Sequence, residues 1–116
     1  MRTLLTALTL IGLAGAASAA SIEIPLPEGI EAETVEATYV CDERNINVTY
    51  VNAGDISLAL LEFEDKTVVA SNVLSASGAR YAGGQYIWWS KGDTADLYDL
   101  TEGGEETPAA SCREGS

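Results

Sequence analysis

The side chains that could do chemistry in this 116-residue chain are mostly carboxylates. The sequence has 18 Asp and Glu residues, 6 Lys and Arg residues, 2 cysteines and no histidine. Without histidine, Ser-His and Cys-His nucleophile pairs are excluded, and so is the commonest transition-metal ligand. Two carboxylates can form a glycosidase site, but so many acidic residues produce chance pairs easily. We therefore rank an enzyme last among the functions considered and expect no cofactor.

The spacing of the candidate ligands also argues against a metal site. The two cysteines are far apart in sequence, unlike the paired thiolates of a zinc site. Asp93, Asp96 and Asp99 are the best calcium candidates, but they lack the Asp-x-Asp-x-Asp-Gly order of the best-known calcium loop. We interpret these aspartates as a solvated strand face and predict no metal.

The first 20 residues have the layout of a secretory signal peptide, with Arg2, an apolar run over 4–17 and small residues at 17–19. We predict cleavage after Ala19 or Ala20, because a membrane-spanning helix needs about 20 mostly apolar residues and this run is shorter. No cysteine follows the run directly, so we expect a periplasmic protein without a stable membrane anchor. Export to an oxidising compartment then predicts a disulfide between Cys41 and Cys112.

The charge of the exported chain limits its partners. After residue 20, 5 basic and 18 acidic residues remain, a net charge of −13. Such a charge disfavours nucleic acid and anionic lipid surfaces. It fits a solubility requirement and a basic protein partner equally well, and composition does not separate the two.

Residues 75–92 stand apart because they hold four of the eight aromatic residues and two basic residues of an acidic chain. Glycines at 83 and 84 predict a turn between two strands. On the second strand, Tyr86 and Trp88 share one face while Ile87 and Trp89 share the other. One pair fills the core and the other is outside, where it can cover a partner; the sequence does not say which tryptophan is buried.

The elements that position this segment are short β-strands. Residues 21–34 carry two prolines and four glutamates without a period, which predicts an extended N-terminal arm before a domain at 35–116. Antiparallel hairpins in a closed barrel or a sandwich are expected, because turn signals separate β-favouring runs at short intervals. The predicted strands are 35–41, 45–52, 56–64, 66–71, 79–82, 85–90 and 94–100. The polar tail after 100 has a fixed place only through Cys112.

Two motifs in residues 75–92 give the chain a family resemblance. Residues 77–81 read S-G-x-x-Y, and residues 86–92 read Y-x-x-x-S-K-G. Together and in this order they resemble the signature of the membrane-bound and periplasmic inhibitors of c-type lysozyme from Gram-negative bacteria, with Ser90 where many members have threonine. The resemblance covers about residues 38–112 and implies an all-β fold, a small antiparallel barrel of about eight strands closed by one disulfide.

The resemblance also implies a lysozyme-binding site and a mechanism. Ser77 and Lys91 are expected to meet the catalytic carboxylates of a c-type lysozyme in its cleft, while Gly78 lets the backbone approach and Tyr81 supports the loop. The expected site residues are Ser77, Gly78, Arg80, Tyr81, Tyr86, Ser90, Lys91 and Gly92. The alternative is an envelope barrel that binds a saccharide or small apolar ligand, with Trp88 or Trp89 as a stacking platform. The target lysozyme, the affinity, the oligomeric state and the role of the 21–34 arm stay open.

Overall fold

The computed structural model describes residues 20–115, and within them the chain is all β. Eight antiparallel strands follow one another around a closed barrel, in which each strand pairs with its sequence neighbours and the first pairs with the last. The strands are β1 Glu33–Cys41, β2 Asn45–Ala53, β3 Ile56–Phe63, β4 Lys66–Val73, β5 Ala79–Gly83, β6 Tyr86–Lys91, β7 Thr94–Asp99 and β8 Ala110–Glu114. The predicted fold class is confirmed. The predicted signal segment and its cleavage site lie outside the described residues, apart from Ala20.

Tight turns produce this up-and-down order. Glu64 and Asp65 connect β3 to β4 with φ of 49° and 59°, so both central residues lie in the left-handed region that a type I′ hairpin needs. In such a meander successive turns alternate between the two ends of the barrel. The loop of residues 74–78 and the turn after Lys91 therefore lie at one end, whereas the turns at 42–44 and 64–65 lie at the other.

The disulfide lies on the seam that closes the barrel. β1 and β8 share three register pairs, and Cys41 stands opposite Cys112 in the last of them. The Cα atoms of the two cysteines are 4.2 Å apart and the bond is formed, which confirms the predicted pairing. β8 is the strand that the polar pattern of the tail did not indicate. β8 forms because two strands offer it unpaired backbone groups: residues 94–97 of β7 on one side and the end of β1 on the other.

The barrel interior is filled with side chains, as expected for a closed barrel of this size. Trp88 is fully buried; its ring meets Tyr39 edge to face at 4.9 Å. The Trp88 indole donates a hydrogen bond of 2.9 Å to the Tyr50 hydroxyl, which lies 2.8 Å from the Tyr39 hydroxyl. Burial, followed by the hydrogen bond with Tyr50, raises the pKa of Tyr39 above its ordinary value. Trp88 is therefore the core tryptophan.

The apolar character of β3 has a structural cause. Ala59, Leu61 and Phe63 point into the barrel, while Leu58 and Leu60 on the outer face line a groove with residues of the N-terminal arm. A strand with the core on one face and an apolar groove on the other carries apolar residues on both faces, so its sequence is a continuous apolar run. β1 begins at Glu33, so the last two residues of the predicted arm belong to the sheet. The division of the chain into arm and domain stays a prediction.

The interpretation of the three aspartates as a solvated face is wrong for Asp99. Its side chain is 9% exposed and accepts hydrogen bonds from the Thr101 hydroxyl at 2.6 Å, the Thr101 amide at 2.9 Å and the Gln85 amide group at 3.1 Å. These donors, with Thr101 foremost, hold the pKa of Asp99 below its ordinary value. Asp99 joins the β5–β6 turn to the segment that follows β7. Residues three positions apart on a strand point to opposite faces, so the side chains of Asp96 and Asp99 point in opposite directions.

Candidate functional site

The two sequence motifs meet at one end of the barrel. Ala79 pairs with Ser90 in the β5–β6 ladder, so Ser77 and Gly78 at the end of the 74–78 loop come next to Lys91. Ser77 is exposed. The structure thus brings the two expected inhibitory side chains into one neighbourhood.

The approach of the loop to β6 depends on Gly78. Its φ is +67°, and a Cβ atom added there would lie 2.5 Å from the Ser90 carbonyl oxygen and 2.7 Å from Lys91 Cγ. Any other residue would strain the backbone and push the loop off the strand. Ser75 Oγ donates to the Gly78 carbonyl at 3.2 Å, which closes the loop on itself. Ser77 therefore projects from a tight, locally bonded turn.

Trp89 occupies the outer face beside these residues. Its indole nitrogen donates to the Ser77 carbonyl oxygen at 2.8 Å. Lys91 Nζ lies 4.8 Å from the ring centroid, and the Arg80 guanidinium carbon lies 5.7 Å from it, both within cation–π range. Arg80 also forms an ion pair with Glu105 of the segment between β7 and β8. A positive cluster is thus built around one indole ring in a strongly acidic chain.

Within residues 20–115, Lys91 is the cation with no polar acceptor. The three arginines of this region pair with carboxylates, Arg44 with Glu64 and the other two with Glu105 and Asp93. Lys66 donates to the Tyr86 hydroxyl at 3.1 Å. No hydrogen bond or ion pair of Lys91 Nζ occurs in the part of the chain that the structure describes. Its ammonium is held over an aromatic face and is available to an external acceptor.

Several expected site residues lie elsewhere. Tyr81 and Tyr86 are buried in the barrel, with 6% and 9% of their surfaces exposed, so their rings present no contact surface to a partner. Burial raises the pKa of Tyr81 above its ordinary value. Ser90 is half-buried and lies 3.5 Å from the Ala79 carbonyl oxygen. Gly92, with φ of 61°, forms the turn after Lys91. Tyr86 is at the far end of β6, where Lys66 donates to its hydroxyl, so the structure does not bring it to the site. Ser90 and Gly92 flank Lys91 in the chain, and Ser77, Gly78 and Lys91 form the surface of the candidate site.

Sequence reasoning missed Glu105 and Leu74. Glu105 lies 25 residues from Arg80, in a polar tail that carries no local signal for the pairing. Leu74 is 96% exposed at the start of the 74–78 loop, outside the predicted strands 66–71 and 79–82. No group of three or more His, Cys, Asp or Glu side chains between residues 20 and 115 is arranged to hold a metal ion. The same region contains no helix long and apolar enough to cross a membrane.

The relationships of the chain to known proteins agree with this geometry. A family model described as the membrane-bound lysozyme inhibitor of c-type lysozyme, MliC, matches residues 39–106. The chain belongs to the MliC family. A membrane-bound lysozyme inhibitor of C-type lysozyme from Pseudomonas aeruginosa is 47% identical over 93 residues, which cover 78% of this chain and 73% of the relative. A protein of the same name from Cupriavidus necator is 39% identical over 98 residues, covering 82% and 78%.

A solved structure links the family fold to a partner. The crystal structure of Pseudomonas aeruginosa MliC in complex with hen egg white lysozyme matches this chain with a TM-score of 0.70 and 40% sequence identity. The match covers 84% of this chain and 98% of the other. This chain therefore shares its barrel fold with a protein whose structure was solved in complex with hen egg white lysozyme. The predicted family resemblance is confirmed.

Proposed function

We propose that this protein inhibits c-type lysozyme and has no catalysis of its own, so that it protects bacterial peptidoglycan. The observation that carries the proposal is the likeness to Pseudomonas aeruginosa MliC, which has the same fold, is 40% identical and is in complex with hen egg white lysozyme. Belonging to a family of lysozyme inhibitors supports it further.

The finer proposal concerns how the cleft is blocked. A lysozyme cleft holds one protonated and one ionised carboxyl group. The hydroxyl of Ser77 can donate a hydrogen bond to either group, and the ammonium of Lys91 can pair with the ionised one. Both groups project from the same barrel end, Ser77 from the Gly78 turn and Lys91 from beside the Trp89 ring. Insertion of this end into the cleft would place donor and cation against the residues that catalysis needs.

The charge of the rest of the protein suits the same partner. C-type lysozymes are typically basic, and the net charge of −13 after residue 20 attracts such a protein over long distances. We further propose export to the periplasm after cleavage of the signal segment, because the Cys41–Cys112 disulfide needs an oxidising compartment. N-terminal sequencing of the protein from a periplasmic extract would test this location.

The rival function, binding of a saccharide by a tryptophan platform, finds little support. Trp88 is enclosed in the core, and the ring of Trp89 has Lys91 and Arg80 within 6 Å. Trp88 therefore cannot stack on a sugar, and a sugar on Trp89 would have to share the ring with two cations. Titration with peptidoglycan fragments while indole fluorescence is followed separates the two functions, since a saccharide-binding module would give a saturable change.

The direct test is a lysis assay. Purified protein is added at micromolar excess to hen egg white lysozyme and a cell-wall suspension, and we expect the clearing of the suspension to slow strongly. An unchanged rate would refute inhibition of this enzyme.

Substitutions then test the finer proposal. We expect Ser77→Ala and Lys91→Ala each to weaken inhibition by about tenfold or more, since a hydrogen bond to a charged group contributes about 1.5–3 kcal/mol. Arg44→Ala is the matched control, because it removes one positive charge at the opposite end of the barrel. If the double variant at residues 77 and 91 inhibits as well as the parent, the inserted end of the barrel is a different surface.

A further inference from the structure

One side chain touches both halves of the proposed inhibitory pair. Trp89 Nε1 donates to the backbone carbonyl of Ser77 at 2.8 Å, and its ring lies 4.8 Å from Lys91 Nζ. The hydrogen bond to Ser77 joins β6 to the loop before β5. The contact with Lys91 joins two side chains on the same face of β6, because the two residues are two positions apart.

We propose that Trp89 is a positioning residue of the inhibitory site, which fixes the Ser77 backbone through its indole N–H and the Lys91 ammonium through its ring. This inference rests on the proposed function and adds to it a residue outside the expected site. Trp89 acts before the partner arrives: it reduces the number of conformations that the loop and the lysine side chain would otherwise lose on binding.

The placement of Trp89 is not that of a core residue. Trp88 fills the barrel interior, whereas Trp89 lies half-buried on the outer face, opposite Arg80 of β5 and Asp96 of β7. Because Trp89 lies on the outer face, its indole can donate to the loop before β5 without leaving a gap in the core. Its removal is expected to affect the geometry of the site more than the stability of the barrel.

Arg80, paired with Glu105, also contacts the Trp89 ring. The Arg80 guanidinium lies 5.7 Å from the Trp89 ring centroid and is paired with Glu105. The charge of Arg80 is therefore compensated within the protein, whereas Lys91 has no carboxylate partner in the region from residue 20 to residue 115. The indole ring orders both cations, but leaves Lys91 as the one open to an external carboxylate.

Two substitutions separate the two contacts of Trp89. Trp89→Phe keeps an aromatic face for Lys91 but lacks the N–H that holds Ser77, and Trp89→Leu lacks both. Tyr98→Leu is the matched control, because Tyr98 is an outward-facing, half-buried aromatic residue on the neighbouring strand. We expect inhibition of hen egg white lysozyme to weaken about threefold to tenfold for Phe and more for Leu. The control should inhibit like the parent, and all three melting temperatures should stay within a few degrees of the parent's.

A double-mutant cycle distinguishes positioning from direct contact with the enzyme. Because Trp89 acts through Ser77 and Lys91, the loss caused by Trp89→Phe should largely disappear when Ser77→Ala and Lys91→Ala are already present. A loss that is fully additive with theirs would mean that the indole binds the enzyme itself, and it would overturn the positioning role. Parent-like inhibition by Trp89→Leu would overturn it as well.

Amide hydrogen exchange of the free protein gives a readout that does not depend on lysozyme. We expect the amides of residues 77–79 to exchange faster in Trp89→Phe than in the parent, while the amides of β2 remain unchanged. If the parent does not inhibit lysozyme, the proposed function fails, and the exchange rates still show whether Trp89 orders the loop. If Trp89→Leu does not fold, Trp89→Phe carries the test alone.

Discussion

Removal of the disulfide should cost this protein a large part of its stability while leaving intact the barrel end that we propose to be inhibitory. The perturbation is the double substitution Cys41→Ala with Cys112→Ala. Both cysteines are buried, at 8% and 6% exposure, so alanine is preferable to serine because a serine hydroxyl would need a hydrogen-bond partner there.

The size of the effect follows from the chain that the disulfide encloses. The two cysteines are 71 positions apart. In the chain-entropy relation for cross-links, a loop of that length corresponds to about 4.4 kcal/mol at 25 °C. The seam beside the disulfide holds only three register pairs between β1 and β8, so few other contacts keep the first and last strands together. A barrel of about 80 residues should therefore melt roughly 20–30 °C lower.

Urea titration followed by circular dichroism measures the change in the free energy of unfolding. We expect a loss of about 3–5 kcal/mol, together with a steeper dependence on urea, because the unfolded chain without its cross-link exposes more surface. The parent treated with a reductant should unfold at a similar urea concentration, which serves as a control for the two substitutions themselves.

The function of the double variant is measured below its melting transition. Residues 77–92 lie on the end of the 74–78 loop, β5, β6 and the turn after β6, whereas the disulfide joins β1 to β8. The folded double variant should therefore inhibit lysozyme as the parent does. A stability loss under about 1 kcal/mol would refute the chain-entropy reasoning, and loss of inhibition by a folded variant would mean that the seam shapes the site.

Three further outcomes are expected. Trp88→Ala should lower the free energy of unfolding in urea by about 3–5 kcal/mol because it empties the centre of the barrel, whereas Trp89→Ala should lower it by about 1 kcal/mol or less. Asp99→Asn should lower the melting temperature at neutral pH. The pKa of Asp99 is held below 3.8 by Thr101, so its contribution exists above that pH and disappears as the pH falls through the lowered value. Melting curves of parent and variant should therefore converge in acid, and a constant difference at all pH values would contradict the cause given. Association with a basic lysozyme in stopped flow should slow as ionic strength rises from about 0.01 to 1 M, where the Debye length falls from about 30 to 3 Å. An on-rate independent of salt would remove any role of the acidic surface in the encounter.

Local features of the chain were readable because their causes are local. The turn predicted at 83–84 lies one residue later, at 84–85, and depends on the backbone freedom of Gly84, whose φ is 56°. Gly83 belongs to β5, where a Cβ atom would lie 2.3 Å from the Val69 carbonyl oxygen. Strand alternation such as Ile46 and Val48 against Asn45 and Asn47 depends on the two-residue period of a strand. The absence of histidine and the presence of two widely spaced cysteines limited the predicted chemistry without reference to any neighbour. The motifs at 77–81 and 86–92 indicated the family for the same reason, since each is a short run of adjacent residues.

What the tertiary structure decided depends on residues distant in sequence. A two-residue period separates Trp88 from Trp89, but only closure of the barrel determines that the Trp88 face is inside, where Tyr50 accepts its hydrogen bond from 38 positions away. β8 has a polar sequence and forms because β1 and β7 provide edges on both sides of it. The pairing of Arg80 with Glu105 and the contact of Trp89 with Ser77 likewise join segments that only the strand register brings together. Strand periodicity and turn type depend on residues that are adjacent in sequence. Burial, barrel closure and charge pairing depend on residues that are distant in sequence, and only the folded barrel determines them.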